Sequence, residues 1–588
     1  MFITVFLDFI NTFAGEYKLK LFFLVVLSII AAVCEFLGLS LIYSFAILLS
    51  KNTLTIPLLG QISAANQSKG ALLLGLLVAF TYIFKDVFMI AYINFQNTLV
   101  ANITNHIFKK NYLVFMGQNY FVTRKLSDSD KQRILGTSVS LIMTDFISGT
   151  LSLFANLIVA LGILSYLFIK FNTTALIVTI FIFLIWFCEN LYLKSRAKKY
   201  GEMLHNSERA KSDFTLSTLC AQKDVIIYNK KDEFTKYAYK IQEEYSKCKK
   251  DMNTNKGMPT YITEIGVMGA FILFVILQLV KNPDGAILGA GLAAIAAVIL
   301  RIIPAINKTQ NCLYAINSSK CEAQWFIKVM KTLEATEGKI NDSREKLPFN
   351  NKISVENANF YYDEKTHALK DINFEIKKGE FVGILGPSGS GKTTLFNLIS
   401  ALFEPQSGII KADENIICGS NVKMWQNNIS ILSQEFSLPF KTIWQNVVFE
   451  PDESKFNLYK QEEIQTALTK AGIFDELNAD IFKNPKELSM GQKHRVALSR
   501  AFYYDREIIM LDEATSALDV ETENEISATI ESIKGQKTVI AIAHRLKTLK
   551  NCDKLIYMAE GKIVDTGTLN ELMQRHESFR RLVELSQF

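Results

Sequence analysis

Six long apolar runs limit what this chain can become more than anything else in it. They lie at about 21–49, 71–98, 139–169, 174–194, 259–280 and 286–309. A helix needs about 20 apolar residues to cross the hydrocarbon core of a bilayer, so each run reads as a membrane span. Several exceed that minimum and have length to spare for tilt or for projection beyond the bilayer. The runs stop near residue 310, and residues 345–588 read as an ordinary soluble domain. The mean hydropathy of +0.16 averages over this step. At 588 residues the chain is too long for one core, and two or more domains are expected.

Orientation follows from the basic residues. Lys109, Lys110, Arg124, Lys125, Lys131 and Arg133 lie between the second and third spans. Arg196, Lys198, Lys199, Arg209, Lys211, Lys223, Lys230 and Lys231 lie between the fourth and fifth. The other connections hold little beyond Lys51, Lys69, Lys170 and Lys281. The basic connections, both chain ends and the soluble half are therefore expected in the cytoplasm. This placement absorbs the net charge of +6 without a nucleic-acid partner. Residues 99–138 and 195–257 are polar, helix-prone and poor in Gly and Pro. They read as cytoplasmic extensions of the flanking helices, turning through short crosswise helices near 127–136 and 212–224. A merely solvated charged face would explain the charges but not the paired lengths.

The first twenty residues suit an amphipathic helix on the membrane surface. The first apolar run is too long for a cleaved signal and lacks a small-residue cleavage site. The eight cysteines show no C-x-x-C spacing and read as free thiols. Residues 21–334 form the expected membrane domain, 335–350 a polar linker and 351–588 the soluble domain.

The soluble half opens its chemistry with "FVGIL" (381–385), suited to a buried parallel strand, followed at once by "GPSGSGKT" (386–393). Glycines let the loop of Gly386, Pro387, Ser388, Gly389, Ser390 and Gly391 wrap a phosphate with its backbone N–H groups, of which Pro387 supplies none. A helix opening at Gly391 adds a positive dipole end. Lys392 reaches the β- and γ-phosphates, the Thr393 hydroxyl suits Mg²⁺, and Thr394 follows in the first turn. A second apolar strand, "EIIML" (507–511), ends in Asp512 and Glu513. Such an Asp suits Mg²⁺, commonly through water, and Glu513 is placed as general base for an attacking water. A plain helix-start carboxylate is the bland reading of Glu513, and its adjacency to Asp512 argues against it.

Further motifs follow in a fixed order: "ILSQE" (431–435), "LSMGQ" (488–492), "ATSALD" (514–519) and "AIAHR" (541–545), with an aromatic upstream in "FYYDEKTHALKDINF" (360–374). Over residues 350–588 this set resembles the nucleotide-binding domain of ABC transporters. The resemblance implies an α/β P-loop ATPase using ATP and Mg²⁺. Tyr362 would stack on adenine, with Tyr361 the alternative by register. Gln434 would contact Mg²⁺, His544 would hold the γ-phosphate and position water, and Asp519 would reach across a dimer interface. Ser489, Gly491 and Gln492 would meet the nucleotide bound by a second copy of the chain. The implied partner is thus a homodimer, with a heterodimer left open. Two departures stand out. Met490 replaces the usual Gly of the signature, and "IFKNPKE" (481–487) replaces the usual acidic segment before it.

Six spans followed by one ATPase domain resemble the half-transporters of the ABC exporter type. Their fold is a six-helix membrane domain with long cytoplasmic extensions, in a multi-pass protein of the bacterial inner or cell membrane. The segments "TYIFKDVFMIAYINF" (81–95) and "VILRIIPAIN" (298–307) resemble the second and sixth spans of bacterial flippases for lipid-linked oligosaccharides. On that resemblance Lys85 and Arg301 would face the anionic head group of an amphipathic lipid-linked substrate. Glu35, Asp86, Glu189 and Glu264 also interrupt spans, and charges there are costly enough to be informative. Being neighbours, Lys85 and Asp86 are each expected to need another partner. A multidrug, lipid or peptide exporter is the alternative. An ATP-gated channel or regulator is disfavoured by the presence of both Glu513 and His544.

Overall fold

A computed structural model describes the chain from residue 2 to 585, except residues 51–53, 57–59, 63–66, 282–287, 337–344, 364–365, 513–519 and 543–549. In parts of the apolar helices, notably 162–179 and 288–302, it describes the backbone alone. The chain divides into two compact units, 1–116 with 124–335, and 117–123 with 336–588.

The first unit is helical. α1 (Phe2–Phe13) leads into α2 (Lys18–Ser50), and a small antiparallel pair, β1 (Leu54–Ile56) and β2 (Gly60–Ile62), precedes α3 (Gln67–Met116). At 1.5 Å per residue the 50 residues of α3 reach about 75 Å, far more than a bilayer core of about 30 Å. Its two faces differ by design. Tyr92, Gln96, Leu99, Ile103 and Ile107 are buried at helical spacing, whereas Leu76, Phe80, Ile83, Val87 and Ile90 form an exposed apolar stripe. An apolar stripe facing outward is what lipid, not water, stabilises. Gln96 on the buried face donates to the hydroxyls of Ser148 (3.3 Å) and Ser152 (3.1 Å).

Past the first arm tip come α5 (Asp128–Gln132), α6 (Ser138–Leu141) and α7 (Ser148–Cys220), joined by π-type turns over Arg133–Thr137 and Ile142–Ile147. The helical assignment runs unbroken through 170–173, between two expected spans. "KFNT" there contains neither Gly nor Pro to end a helix. α8 (Gln222–Ile227), α9 (Lys231–Lys281) and α10 (Leu288–Thr336) complete the unit. Among the described residues, Leu72–Met116, Asp128–Leu161 and Lys231–Leu277 are long and apolar enough to cross a membrane.

Three expectations change. The first arm turns not at 127–136 but earlier, through α4 (Tyr120–Arg124). The "SDSD" stretch instead starts the returning helix: Ser127 accepts a hydrogen bond from the Asp130 N–H at 3.2 Å, with Asp128 and Asp130 in the first turn. At the second tip the long helix persists to Cys220, and the short α8 follows, ended by Asn229 at φ +52°. α1 also does more than lie on a membrane. Phe9, Ile10 and Phe13 are buried, with Phe326 of α10 at ring distances of 6.4 and 5.4 Å from Phe9 and Phe13. Asp8 pairs with Lys331 at 2.7 Å, and Lys110 donates to the Thr12 carbonyl at 2.9 Å, a cation at the helix's negative end. Ile3 and Leu7 stay exposed.

The second unit holds two sheets. β3 (Lys352–Tyr361), β4 (His367–Lys377), β6 (Ser407–Ala412) and β7 (Asn415–Ile416) form an antiparallel sheet in the order β4-β3-β6-β7. The larger sheet runs β12-β11-β5-β10-β9-β8. Its strands are β5 (Phe381–Leu385), β8 (Ile429–Leu432), β9 (Ile508–Asp512), β10 (Thr538–Ile542), β11 (Lys554–Ala559) and β12 (Lys562–Gly567). Neighbours from β8 to β11 are parallel and β12 is an antiparallel edge. β5, β9 and β10 are buried along their whole length, which explains their continuous apolar sequence. Between the sheets and around them lie α11 (Lys392–Ile399), α12 (Val422–Gln426), α13 (Ile443–Val448), α14 (Gln461–Lys470), α15 (Met490–Tyr504) and α16 (Val520–Ser532).

Candidate nucleotide site

The site grows from the end of β5. That strand pairs in parallel with β10 and β11, so its carboxyl end opens where a doubly bordered parallel strand commonly delivers its loop to a ligand. The loop 386–391 needs its glycines. A Cβ on Gly386 would sit 2.2 Å from the Met558 carbonyl oxygen, and Gly391 adopts φ +100° with the Ala368 carbonyl 2.8 Å from its would-be Cβ. Gly391 then caps α11, whose first residue is Lys392.

Lys392 is buried, and its Nζ donates to the carbonyls of Gly386 (2.9 Å) and Pro387 (3.0 Å), which folds the cation across its own loop. The Ser390 Oγ is buried and makes no hydrogen bond. A cation turned onto the loop, an unsatisfied hydroxyl and a helix N-terminus together fit a phosphate chain. Thr393 is exposed beside them, and Asp512 stands buried at the end of β9. Gln434 is exposed two residues past β8, the strand bordering β9. Thr393, Gln434 and Asp512 are an all-oxygen donor set, the chemistry Mg²⁺ takes. Glu513, Asp519 and His544 lie outside the described residues.

Tyr362 shares a hydrogen bond with Thr394, Oη to Oγ1 at 3.0 Å, so its ring stands over the first turn of α11. Tyr361 is turned toward His367 instead. The Tyr362 ring belongs to an aromatic group with Phe360 (5.3 Å) and Phe403 (6.0 Å), and Phe121 joins it at 6.1 Å. Phe121 also touches Phe360 (5.3 Å) and Phe403 (5.5 Å), and Tyr120 stacks on Phe403 at 6.3 Å. No local sequence signal connects Phe121 with Tyr362, and sequence reasoning misses it.

The signature is a helix start. The Ser489 Oγ accepts from the Gln492 N–H at 3.2 Å and the Gln492 side-chain oxygen accepts from the Ser489 N–H at 3.0 Å, a reciprocal cap on α15. Glu476 anchors this turn through Gln492 (3.0 Å) and Arg495 (2.6 Å). Met490 is the first helical residue and points outward, 65% exposed. Its position makes no demand for glycine, so the departure from the usual signature leaves the backbone turn intact.

In the membrane-spanning helices, Lys85 is buried with its Nζ 4.9 Å above the Tyr82 ring and 3.0 Å from Asp86. Contrary to expectation these neighbours do pair. Their side chains leave the helix about 100° apart, yet the four-carbon lysine stem is long enough to fold back. The Arg301 side chain lies outside the described residues.

Residues 369–516 match the family model described as ABC transporter. The ATP-dependent lipid A-core flippase of Ralstonia nicotianae (strain ATCC BAA-1114 / GMI1000) is 38% identical over 229 residues, 38% of this chain and 39% of that protein. The multidrug resistance ABC transporter ATP-binding and permease protein of Lactococcus lactis subsp. lactis (strain IL1403) is 32% identical over 234 residues, 39% of this chain and 40% of that protein. The match thus spans about two fifths of the length of these curated relatives. Among solved structures, a bacterial Atm1-family ABC exporter with ATP bound superposes with a TM-score of 0.79 at 17% identity, over 96% of this chain and 97% of that one.

Proposed function

We propose that this chain, which has the fold of an ABC exporter and carries the ABC transporter domain, is one half of an ATP-driven exporter that works as a homodimer. The observation that carries the reading is the phosphate cradle. A buried lysine, an unsatisfied serine hydroxyl and a glycine-dependent turn meet at a helix start.

In this reading the loop 386–391 and Lys392 bind the phosphates, and Tyr362 stacks on the adenine ring. Thr393, Gln434 and Asp512 would hold Mg²⁺, which when bound would supply positive charge to the phosphate chain. Glu513 polarises the attacking water, and His544 orients it against the γ-phosphate. Ser489, Gly491 and Gln492 serve the nucleotide held by the other copy, and Asp519 lies along the seam between copies. Closure of two copies around nucleotide, and opening after hydrolysis, moves the cytoplasmic extensions and through them the spans.

The cargo is an amphipathic, anionic lipid-linked molecule, flipped across the membrane with Lys85 and Arg301 near its head group. Similarity to a lipid A-core flippase supports a glycolipid cargo, and similarity to a multidrug transporter keeps a drug-like or lipid cargo as the second reading. The test is reconstitution in liposomes, scoring ATP-dependent movement of a labelled pyrophosphate-linked glycolipid against a drug-like dye. Glycolipid movement that disappears in Glu513→Gln and falls at least tenfold in Lys85→Ala/Arg301→Ala is expected. Dye movement alone moves the reading to a multidrug exporter. Turnover indifferent to Glu513→Gln overturns the transport ATPase itself.

A further inference from the structure

A buried carboxylate on α7 is used by none of this chemistry. Glu189, within the span 174–194, is 6% exposed. Its Oε2 accepts a hydrogen bond from the Gln310 Nε2 of α10, and the Thr263 Oγ1 of α9 lies 3.5 Å from that oxygen and 3.3 Å from the Gln310 Oε1. Its other oxygen, Oε1, is buried without a partner. The carboxyl borders a cavity of about 10 Å³ walled by Trp186, Val267 and Ile306. That is about the room a water-sized group needs.

No charged side chain among the described residues faces Glu189. From α9 it meets Thr263, Gly266 and Val267; from α10 it meets Gln310 and Ile306. Glu264 on α9 and Lys308 on α10 are exposed. A lone negative charge among apolar helices is strongly disfavoured, and such a group commonly neutralises itself by taking a proton.

We propose that Glu189 is a proton-binding site of the membrane domain. The carboxylate takes up one proton, –CO₂⁻ + H⁺ giving –CO₂H, with the new O–H on Oε1 directed into the cavity while Oε2 keeps its donors. Gly266 sets the geometry, since a Cβ there would come 2.9 Å from the Ile185 Cδ1, so α7 and α9 close tightly over the carboxyl. Resting on the alternating movement proposed above, a change in that crossing admits water and lets the proton leave. One conformation is therefore favoured by acid and the other by alkali.

The test is infrared difference spectroscopy of the full-length protein in lipid nanodiscs at neutral pH. The wild type is expected to show a protonated-carboxyl C=O band that shifts in D₂O and is lost in Glu189→Gln. Gln310→Leu keeps the carboxyl but removes one donor, and is expected to shift the same band, so the assignment does not depend on one variant folding. A wild-type spectrum lacking any such band, or a band untouched by both substitutions, overturns the proposal. Because the measurement reads the carboxyl and not transport, it fails or succeeds independently of the exporter reading.

Discussion

Glu322, on α10 beyond the apolar run 286–309, shows how single residues fix the helical unit. It is 8% exposed and bound by Arg133 (2.5 Å), His205 (2.6 Å) and the Ser138 hydroxyl, while Arg133 also stacks on Trp325 at 4.4 Å. Burial pushes its carboxyl up, but the hydrogen bonds of His205 and Ser138 and the charge of Arg133 outweigh this and hold it below the ordinary carboxylate range. A carboxyl depressed by folding stabilises the native state above its unfolded pKa of about 4.3, and that stabilisation is lost as pH falls through the lower folded value. Glu322→Gln is expected to cost about 3 kcal/mol at neutral pH by stranding a buried arginine. The deficit should shrink in acid, checked by thermal unfolding across pH. A deficit that stays constant down to strong acid would show that the carboxylate's charge is not what matters. None of this was legible in sequence, because Ser138, His205 and Glu322 sit on three helices far apart in the chain. The Lys85–Asp86 pair is hidden in sequence for another reason: helix geometry sets the two side chains on different faces, and only the length of the lysine stem brings them together.

Among the elements, the β5–loop–α11 unit was readable because its determinants are local. An apolar pentapeptide, a glycine loop and a helix start follow one another within a few residues. The arm tips were less readable, since "SDSD" suits a crosswise helix as well as the cap it proves to be. The partnership of α4 with the Tyr362 aromatics was not readable at all, for it depends on tertiary proximity. Phe121→Ala is expected to loosen Tyr362 by removing an aromatic contact worth about 1 kcal/mol. Affinity for a fluorescent ATP analogue should weaken about five-fold, with Lys392→Ala as the control for complete loss. Unchanged affinity in a folded Phe121→Ala protein would mean that Tyr362 needs no support from α4.

At the scale of the whole molecule, the composition step near residue 310 matches a helical unit followed by a two-sheet unit, and the chain as a whole shares the fold of an ABC exporter. What the single chain leaves unused is the signature face of α15, capped and exposed but remote in sequence from the phosphate loop. The proposed dimer puts that face on the partner's nucleotide. Cysteines at Ser388 and Ser489, in a background without the eight native ones, are expected to join two chains on oxidation when Glu513→Gln holds ATP. A disulfide formed only within single chains, or none, would reject the shared site.

The chain changes allegiance between its two units three times, near residues 116, 123 and 335. Scissors applied after the last span would therefore not release a finished ATPase. The fragment from 336 onward would forfeit the seven residues 117–123, stripping Phe403 and Phe360 of their lid. Such a fragment should be sticky and should regain good behaviour when a peptide bearing "GQNYFVT" is supplied, making the plug a missing jigsaw piece and not a mere tether.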